Sequence, residues 1–306
     1  MEHPQYQAER IADLIDRDLP PIPSYIGPAV LPLGGQAVFG GHAKVGKSVL
    51  MMEFAHALMS GDVPFCCPEM FVPAPVRVLI VEQELGEFGL RQRAVKRWNA
   101  TEIQRLGRRF DNLFYVSKIP ELKLDTTMGR RILRDLCDDI KPQVLILDPI
   151  GRMHSYDENN AQDMAKMFGA LDELQKSQAS QNMALIFSHH FGKPKDPRAG
   201  VDPLNPYEFR GSSKFFDNPD TLITVQRCAE LARPHEAWSL KVRFTMRHGE
   251  SFDDLIFHVN EDNDMRAKYV KHVGGMNNGR RALPKPESKA IEIKPQQGEL
   301  LGFRAA

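Results

Sequence analysis

Short apolar runs alternate with stretches of helical period along the first two thirds of the chain. Runs that are apolar at every position predict strands buried on both faces, as in a parallel sheet covered by helices. The predicted strands are Gln36–Gly40, Arg77–Glu82, Leu113–Val116, Val144–Asp148 and Ala184–Ser188. The predicted helices between them are Lys47–Met59, Gly86–Trp98, Thr126–Ile140 and Ala161–Gln178. The pattern therefore indicates an α/β fold with a mainly parallel central sheet and helices on both faces.

The alternation stops after Ser188. A long Gly/Pro-rich segment, HHFGKPKDPRAGVDPLNPYEF, leads into strand candidates that follow one another without helices. These candidates are Thr221–Gln226, Trp238–Thr245 and Leu255–Val259. Closely spaced strands pair in antiparallel fashion, so we expect an antiparallel C-terminal extension of the sheet.

Charge is balanced over the 306 residues, with 40 Lys and Arg against 40 Asp and Glu. A balanced chain has no strong overall field toward nucleic acid or a membrane surface, so any such contact needs a local patch. No apolar run approaches the roughly 20 residues that a membrane-spanning helix needs, and the N-terminus is too polar for a signal peptide. We therefore expect a cytoplasmic protein with no membrane partner, whose four cysteines are reduced.

One segment, GHAKVGKS at residues 41–48, fits the pattern G-x-x-x-x-G-K-[ST] of a phosphate-binding loop. Its two glycines let the backbone turn so that N–H groups point inward at an anion, and the following helix adds the positive end of its dipole. Lys47 is predicted to reach the β- and γ-phosphates and Ser48 to hold Mg²⁺, so ATP and Mg²⁺ are the expected ligands. The predicted nucleotide-binding residues are Gly41, Lys44, Val45, Gly46, Lys47, Ser48 and Val49.

Two apolar strands end in carboxylates, which the hydrolysis of ATP requires. VLILD, residues 144–148, places Asp148 where it would hold Mg²⁺ through its water shell. VLIVEQE, residues 78–84, ends in Glu82 and Glu84, which lie two apart and point to one face. Glu84 is the favoured base because it falls just past the strand, where ligands bind in an open α/β sheet, and Glu82 is the alternative.

Histidines and cations follow the later strands. ALIFSHH, residues 184–190, ends in two adjacent histidines, and adjacent side chains on a strand point to opposite faces. We therefore expect a single one of them to face the nucleotide and to donate a hydrogen bond to the γ-phosphate. Arg210, beside the Gly-Ser-Ser turn of FRGSSKFFDNPD, and Arg243, in the KVR element of a later strand, are alternative arginine fingers.

The order and spacing of these motifs resemble those of RecA-like ATPases of the RepA type, the hexameric replicative helicases of plasmids. The resemblance rests on GHAKVGKS, VLIVEQE, VLILDPIGRMHSYDENNAQDMA, IFSHHFGK and FRGSSKFFDN, and it runs from about Pro21 to about Val259. It implies a RecA-like fold, hydrolysis of ATP with Mg²⁺, and a homo-oligomeric, hexameric ring that acts on single-stranded DNA. A replication-loading protein is a further partner that the resemblance suggests.

The resemblance also implies roles for single residues. Lys47 and Ser48 would bind phosphate and Mg²⁺, Glu84 would match the catalytic carboxylate, and Asp148 the Walker B acid. His190 would match the histidine that senses the γ-phosphate.

Two assignments of the arginine finger stay open. Arg210 would match the finger that reaches into the site of the neighbouring subunit. Lys241 and Arg243 resemble instead the Lys-x-Arg element of the DnaB-type helicases, in which the finger lies on that strand. The phosphate loop carries His-Ala-Lys-Val where these helicases often have more glycine, a departure that removes no needed chemical group.

Composition and resemblance together divide the chain into three parts. Residues 1–35 hold a short polar helix candidate and a Pro-rich connector, which predict an ordered arm over the edge of the nucleotide site. Residues 36–273 are the predicted RecA-like ATPase domain. Residues 274–306, rich in Gly, Pro and Lys, are predicted to be disordered.

Two loops are candidates for DNA contact, because each follows a strand that carries nucleotide-binding residues. The loop Phe191–Tyr207 is favoured because it carries Lys193, Lys195 and Arg198, whereas the loop Gly151–Asn160 is acidic. Three functions stay open. We favour a helicase or translocase on single-stranded DNA, over an ATPase that remodels or loads a protein or nucleoprotein complex and over a nucleotide-dependent binding switch with little hydrolysis.

Overall fold

The computed structural model describes residues 10–192, 202–208, 213–228, 238–259 and 266–273. In chain order the strands are β1 (Ser24–Ile26), β2 (Leu31–Pro32), β3 (Gln36–Gly41), β4 (Val78–Glu82), β5 (Leu113–Ser117), β6 (Val144–Asp148), β7 (Ala184–His190), β8 (Thr221–Cys228), β9 (Trp238–Met246), β10 (Asp254–Val259) and β11 (Ala267–Val273). The helices are α1 (Ile11–Ile15), α2 (Lys47–Ser60), α3 (Gly86–Arg97), α4 (Ala100–Leu106), α5 (Thr127–Ile140), α6 (Ala161–Ser177) and α7 (Lys214–Asp217). Short 3₁₀ helices lie at Pro64–Cys66, Gly107–Asn112, Ile150–Arg152, Ala179–Gln181 and Pro206–Glu208.

Nine of the described strands form one sheet, in the spatial order β11-β10-β9-β8-β3-β7-β6-β4-β5. Neighbouring strands from β5 to β8 run parallel, whereas β8, β9, β10 and β11 pair antiparallel. The predicted fold class is therefore confirmed, including the antiparallel extension. Each predicted strand and helix is present, with ends that move by one or two residues.

Successive residues of the parallel strands pack into separate cores on the two faces of the sheet. In β3, Ala37 and Phe39 belong to one core and Val38 to the other. Helices α2 and α4 cover the first face, and α5, α6 and α7 cover the second. Helix α2 is buried on nearly all sides, and β11 is joined to it because the Ala267 N–H donates to Glu53 Oε1 at 3.0 Å.

Polar side chains cap the helices that cover the second face. The Thr126 hydroxyl accepts the Gly129 N–H at 3.0 Å at the start of α5. At the start of α6, the Asn160 side chain accepts the N–H groups of Gln162 and Asp163. Such caps stabilise a helix by about 1 kcal/mol each and fix its first turn.

The N-terminal arm lies at the opposite end of the sheet from the position that the sequence predicted. Its two strands, β1 and β2, form a separate two-stranded sheet. The Tyr25 hydroxyl donates to the carbonyl of Gln181 at 2.8 Å, and the Gly34 N–H donates to that of Asn182 at 2.8 Å. Both acceptors precede β7, so the arm covers the amino ends of the parallel strands, whereas the predicted nucleotide-binding loop follows the carboxyl end of β3.

The structure contains elements that the sequence did not predict, and it bears on the predictions for membrane-spanning segments and for the cysteines. The strand β11 and the short helices α4 and α7 were not expected from the hydrophobic pattern. None of the helices in the described part of the chain combines the length and apolar character needed to cross a bilayer. Free thiols are found at Cys66, Cys67, Cys137 and Cys228.

A buried histidine joins the helices on the first face. His56 of α2 is 1 % exposed, and its Nδ1 accepts the indole N–H of Trp98 at 2.9 Å. Since an indole only donates, the ring proton of His56 is on Nε2, which lies 3.1 Å from Asp62 Oδ2. Glu102 is also close, but Arg105 pairs with both carboxylates and the Nε2 proton points at them. The group therefore acts as a packing network and not as a cation site.

Burial and the positive charge of Arg97 together lower the pKa of His56 to about 4, against the opposing effect of Asp62. Because the folded-state pKa lies below the unfolded value of 6.5, the neutral ring stabilises the fold above that pH. This stabilisation is lost as the pH falls from 6.5 toward 4.

We expect His56→Gln to flatten the pH dependence of stability, because glutamine does not titrate. From pH 7 to pH 5 the native protein should lose about 2 kcal/mol more free energy of unfolding than the variant. Urea denaturation at the two pH values measures the difference. Equal losses in the native protein and His56→Gln would contradict the assignment.

Candidate functional site

Strand register brings the predicted motifs to one edge of the sheet. In the pairing of β4 with β6, Glu82 lies beside Asp148, and in the pairing of β3 with β7, Gly41 lies beside His190. These strands are parallel, so their carboxyl ends meet at a single edge, where ligands bind in open α/β sheets. The phosphate loop, both carboxylate strands and the paired histidines therefore share one site.

The phosphate loop has a backbone conformation that favours glycine at two positions. The φ angles are +154° at Gly41 and +117° at Gly46, and Lys44 also has a positive φ of +60°. A Cβ at Gly41 would lie 2.6 Å from the carbonyl oxygen of Val225 in β8. A Cβ at Gly46 would lie 2.7 Å from the ring of Trp238 in β9. The loop is therefore pressed against the antiparallel part of the sheet, and bare backbone makes this close approach possible.

The ammonium of Lys47 lies at the centre of the site. Its Nζ donates to the carbonyls of Gly41 and His42, both at 2.9 Å, and it lies 3.2 Å from Nδ1 of His190. Because an ammonium only donates, Nδ1 is the acceptor in this contact, and the proton of the neutral ring is on Nε2.

The pKa values of Lys47 and His190 are both lowered, mainly by burial. Burial lowers the pKa of Lys47 to about 8, although the carboxylates of Asp148 and Glu84 act to raise it. Burial also lowers the pKa of His190, and the neighbouring Lys47 ammonium lowers it further. The site therefore favours the binding of an anion, because an anion beside Lys47 would stabilise the charged ammonium.

Of the two strand-end histidines, His190 faces the phosphate loop and His189 faces the second core. His189 is 2 % exposed and stacks on Phe215 with ring centroids 3.7 Å apart. The period of two along a strand predicted this division. The same period would have identified Ser188, two residues before His190, whose hydroxyl donates to Asp148 Oδ1 at 2.5 Å.

The oxygen donors of the site fit Mg²⁺. Ser48 and Asp148 line one small cavity together with Glu82, beneath the start of α2. A hydroxyl and a carboxylate are ligands that Mg²⁺ prefers, and the bond from Ser188 fixes the orientation of Asp148. Val45 and Val49 are buried in the core, so their contacts with a nucleotide would come from the backbone.

The two glutamates of β4 have different surroundings. The Glu82 carboxylate is 3 % exposed and accepts the backbone N–H groups of Glu84, Leu85 and Gly86 at 2.7–3.0 Å. It therefore caps the turn that begins α3. Glu84 is exposed, and its charge acts on Lys47. Of the two carboxylates, that of Glu84 is thus the one available to a water molecule.

The guanidinium of Arg243 is held by its own chain. Nε and Nη2 donate to the two oxygens of Asp254 at 2.7 and 2.9 Å, and Nη1 pairs with Asp202. Lys241 also lies 2.8 Å from Asp254. In this structure the Lys-x-Arg element closes β9 onto β10, and a role as a finger stays a prediction. The other predicted finger and the predicted DNA-binding cations, Arg210, Lys193, Lys195 and Arg198, lie outside the described residues.

A family model described as an AAA domain matches residues 2–196. The matched segment is more than half of the chain and contains the phosphate loop, both carboxylate strands and the paired histidines. A comparison with curated proteins finds no significant match.

We expect Gly46→Ala to weaken ATP binding by roughly 10- to 100-fold, because the strained φ and the clash with Trp238 cost about 1–3 kcal/mol. Calorimetric titration with ATP measures the loss. Gly169→Ala in α6 is the matched control, since a Cβ there meets nothing within 4 Å. That variant should bind ATP normally and be slightly more stable. Native affinity in Gly46→Ala would contradict the role of the bare loop.

Proposed function

The chain belongs to the AAA-domain family of P-loop ATPases, and we propose, on the order and spacing of its motifs, that it is a RepA-type motor that hydrolyses ATP to move along or unwind single-stranded DNA. The observation that carries the proposal is the convergence of Lys47, His190, Glu84 and Asp148 at one sheet edge. In this arrangement the Lys47 ammonium can bind phosphate, the Glu84 carboxylate can orient a water, and His190 can sense the γ-phosphate.

In the proposed mechanism the phosphate loop binds the substrate. Backbone N–H groups of the loop and the Lys47 ammonium hold the phosphates of ATP, and the dipole of the 14-residue helix α2 adds positive charge. Ser48 and Asp148 would hold Mg²⁺, which, when bound, offsets the negative charge of the phosphates. Ser188 keeps Asp148 in place for this role.

Glu84 is the proposed general base. The backbone N–H bonds to Glu82 fix the turn that follows β4, and Glu84 is part of that turn. Its carboxylate is exposed and free to orient a water toward the γ-phosphate. Glu82 is unsuited to this role, because its oxygens already accept three backbone N–H groups.

His190 is the proposed γ-phosphate sensor. A phosphate that attracts the Lys47 ammonium competes with the 3.2 Å contact between that ammonium and His190. Loss of the phosphate on hydrolysis would restore the contact, so the position of the ring depends on the nucleotide state. The segment that follows His190 in the chain includes the predicted DNA-binding cations, so a movement of His190 would be transmitted directly to them.

The proposed active unit is a homo-oligomeric ring of six subunits. Charge that develops in the transition state needs a further cation. Arg243 is bound by Asp254 and Asp202 of its own chain. We therefore assign the finger to Arg210, donated by a neighbouring subunit, in line with the resemblance to RepA-type helicases.

We expect Glu84→Gln to bind ATP but to hydrolyse it roughly 10²- to 10⁴-fold more slowly, because the amide does not accept a proton from water. Glu82→Gln should instead lower the free energy of unfolding by about 1–3 kcal/mol, since its amide group faces backbone donors. Single-turnover hydrolysis and urea denaturation of both variants separate the two effects. Full turnover in Glu84→Gln, with turnover lost in a stably folded Glu82→Gln, would reverse the assignment.

The motor hypothesis predicts that single-stranded DNA stimulates ATP hydrolysis and that the protein forms a ring when ATP is bound. Steady-state hydrolysis with and without an oligonucleotide tests the first part, and mass measurement in solution tests the second. Lys47→Ala is the control that should lose hydrolysis under all conditions.

The alternatives give different results in the same experiment. Hydrolysis that DNA does not change, in a protein that is monomeric with ATP, would contradict the motor and favour an ATPase that remodels protein complexes. ATP binding with negligible turnover would favour a binding switch.

A further inference from the structure

A second cleft opens at the carboxyl edge of the sheet, beside the nucleotide site. It lies where β4, β5 and β6 end and has a volume of about 420 Å³. Its lining residues are Gln83, Lys118, Ile119, Pro120, Lys123, Gly151 and Arg152. The sequence motifs assign no role to this cleft, because its cations come from separate loops.

The charge of the cleft is positive. Lys118 and Arg152 are exposed, and within the described residues neither side chain has a hydrogen-bond or ion-pair partner. The Lys123 ammonium lies between the two loops and donates to the carbonyl of Arg152 at 2.7 Å. Among the described residues that line the cleft, none is acidic. The nearby Asp125 accepts the Ser155 N–H, and its carboxylate thereby helps to hold the loop that follows β6.

The walls of the cleft are joined by hydrogen bonds. The Leu124 N–H donates to the carbonyl of Met153 at 2.6 Å, which ties the loop after β5 to the loop after β6. The amide of Gln83 donates to the carbonyl of Ile119 at 3.0 Å, which ties the first loop to the end of β4. The stem of Lys118 lies against Gly86, where a Cβ would stand 3.1 Å from Cδ. The cations are therefore presented on a fixed surface.

Backbone donors of the cleft are used inside the fold. The N–H groups of Gln83, Lys118 and Lys123 donate to the carbonyls of Asp148, Glu82 and Glu121, all at 2.9 Å. These N–H groups are therefore not available to enclose a phosphate, as the N–H groups of a nucleotide-binding loop are. Side-chain cations spread along an open groove suit the successive phosphates of an extended polyanion instead.

We propose that this cleft binds the phosphate backbone of single-stranded nucleic acid through Lys118, Lys123 and Arg152. The proposal rests on the proposed motor function and gives it a nucleic-acid site within the described residues. It also gives the loop that begins at Gly151 a part in nucleic-acid binding, although the acidic residues of that loop made it the less favoured candidate in the sequence. Its first residues, Gly151 and Arg152, line the cleft, whereas its acids Asp157 and Glu158 do not. The Glu158 carboxylate lies behind Gly151, where a Cβ would stand 2.8 Å from Oε1.

The cleft is coupled to the nucleotide site by one residue. Gln83 lines the cleft, directly precedes Glu84, and donates its N–H to the carbonyl of Asp148. A strand of nucleic acid in the cleft thus contacts the segment that positions both carboxylates of the nucleotide site.

The test uses the full chain with Lys118→Gln and Arg152→Gln combined. Lys123 is kept because its bond joins the two loops. Affinity for a labelled oligothymidylate is measured by anisotropy over a series of KCl concentrations. Loss of two phosphate contacts should make the slope of log K against log salt shallower by about 1.4 and weaken binding on the order of tenfold at low salt. Thermal unfolding checks that the variant is folded.

The matched control combines Arg134→Gln and Lys176→Gln, which remove the same charge from exposed positions on α5 and α6. It should bind the oligonucleotide with the native slope. Binding by the cleft variant that equals native binding would overturn the cleft proposal and leave the motor function standing. Native protein that hydrolyses ATP but binds no oligonucleotide would overturn the nucleic-acid part of the motor function as well.

A further arm separates nucleic acid from an acidic protein partner. Polyglutamate is titrated as a competitor against the same labelled oligonucleotide. A cleft variant that loses affinity for polyglutamate but keeps native affinity for the oligonucleotide would assign the cleft to a protein partner and overturn the proposal.

Discussion

The close contact between the phosphate loop and strands β8 and β9 determines how the site is built. A loop that presents N–H groups to an anion needs its own backbone exposed on the inside and supported on the outside. Here the support is the carbonyl of Val225 behind Gly41 and the ring of Trp238 behind Gly46. The antiparallel extension is therefore part of the nucleotide site. Strand β11 extends the same support, because it is bonded to Glu53 in the helix that follows the loop.

Hydrogen-bond saturation separates the two carboxylates that the sequence presents as near equivalents. Glu82 lies in register beside Asp148, yet three backbone N–H groups occupy its oxygens. Glu84 is left in a turn that this cap holds in place. The same edge of the sheet thus has two zones, a carboxylate zone over the phosphate loop and a cationic zone past Gln83. The backbone bond from Gln83 to Asp148 spans the boundary between them.

Local patterns predicted the parts of the molecule that depend on local chemistry. The apolar runs predicted the parallel strands, and the loop motif with the carboxylates and His190 predicted the residues that share one edge. The strand β11 contains Lys268 and Lys271 and shows no apolar run. It forms through its antiparallel pairing with β10, which the local pattern does not reveal. The position of the arm depended on contacts near Gln181, remote in sequence from Tyr25. The cationic cleft arises from loops about 30 residues apart, Lys118 and Arg152, which the hydrogen bonds at Lys123 and Leu124 bring together.

The indole of Trp238 packs directly on Gly46, and the guanidinium of Arg227 lies 4.2 Å from the centre of its ring. The chain has two tryptophans, and the other, Trp98, is buried against His56 on the helical face. Phenylalanine in place of Trp98 would leave a single indole in the chain, in contact with the loop that closes around phosphate. In such a variant the Trp238 indole would serve as an intrinsic optical probe, and we expect its emission to change when a nucleotide enters or leaves the loop beside it.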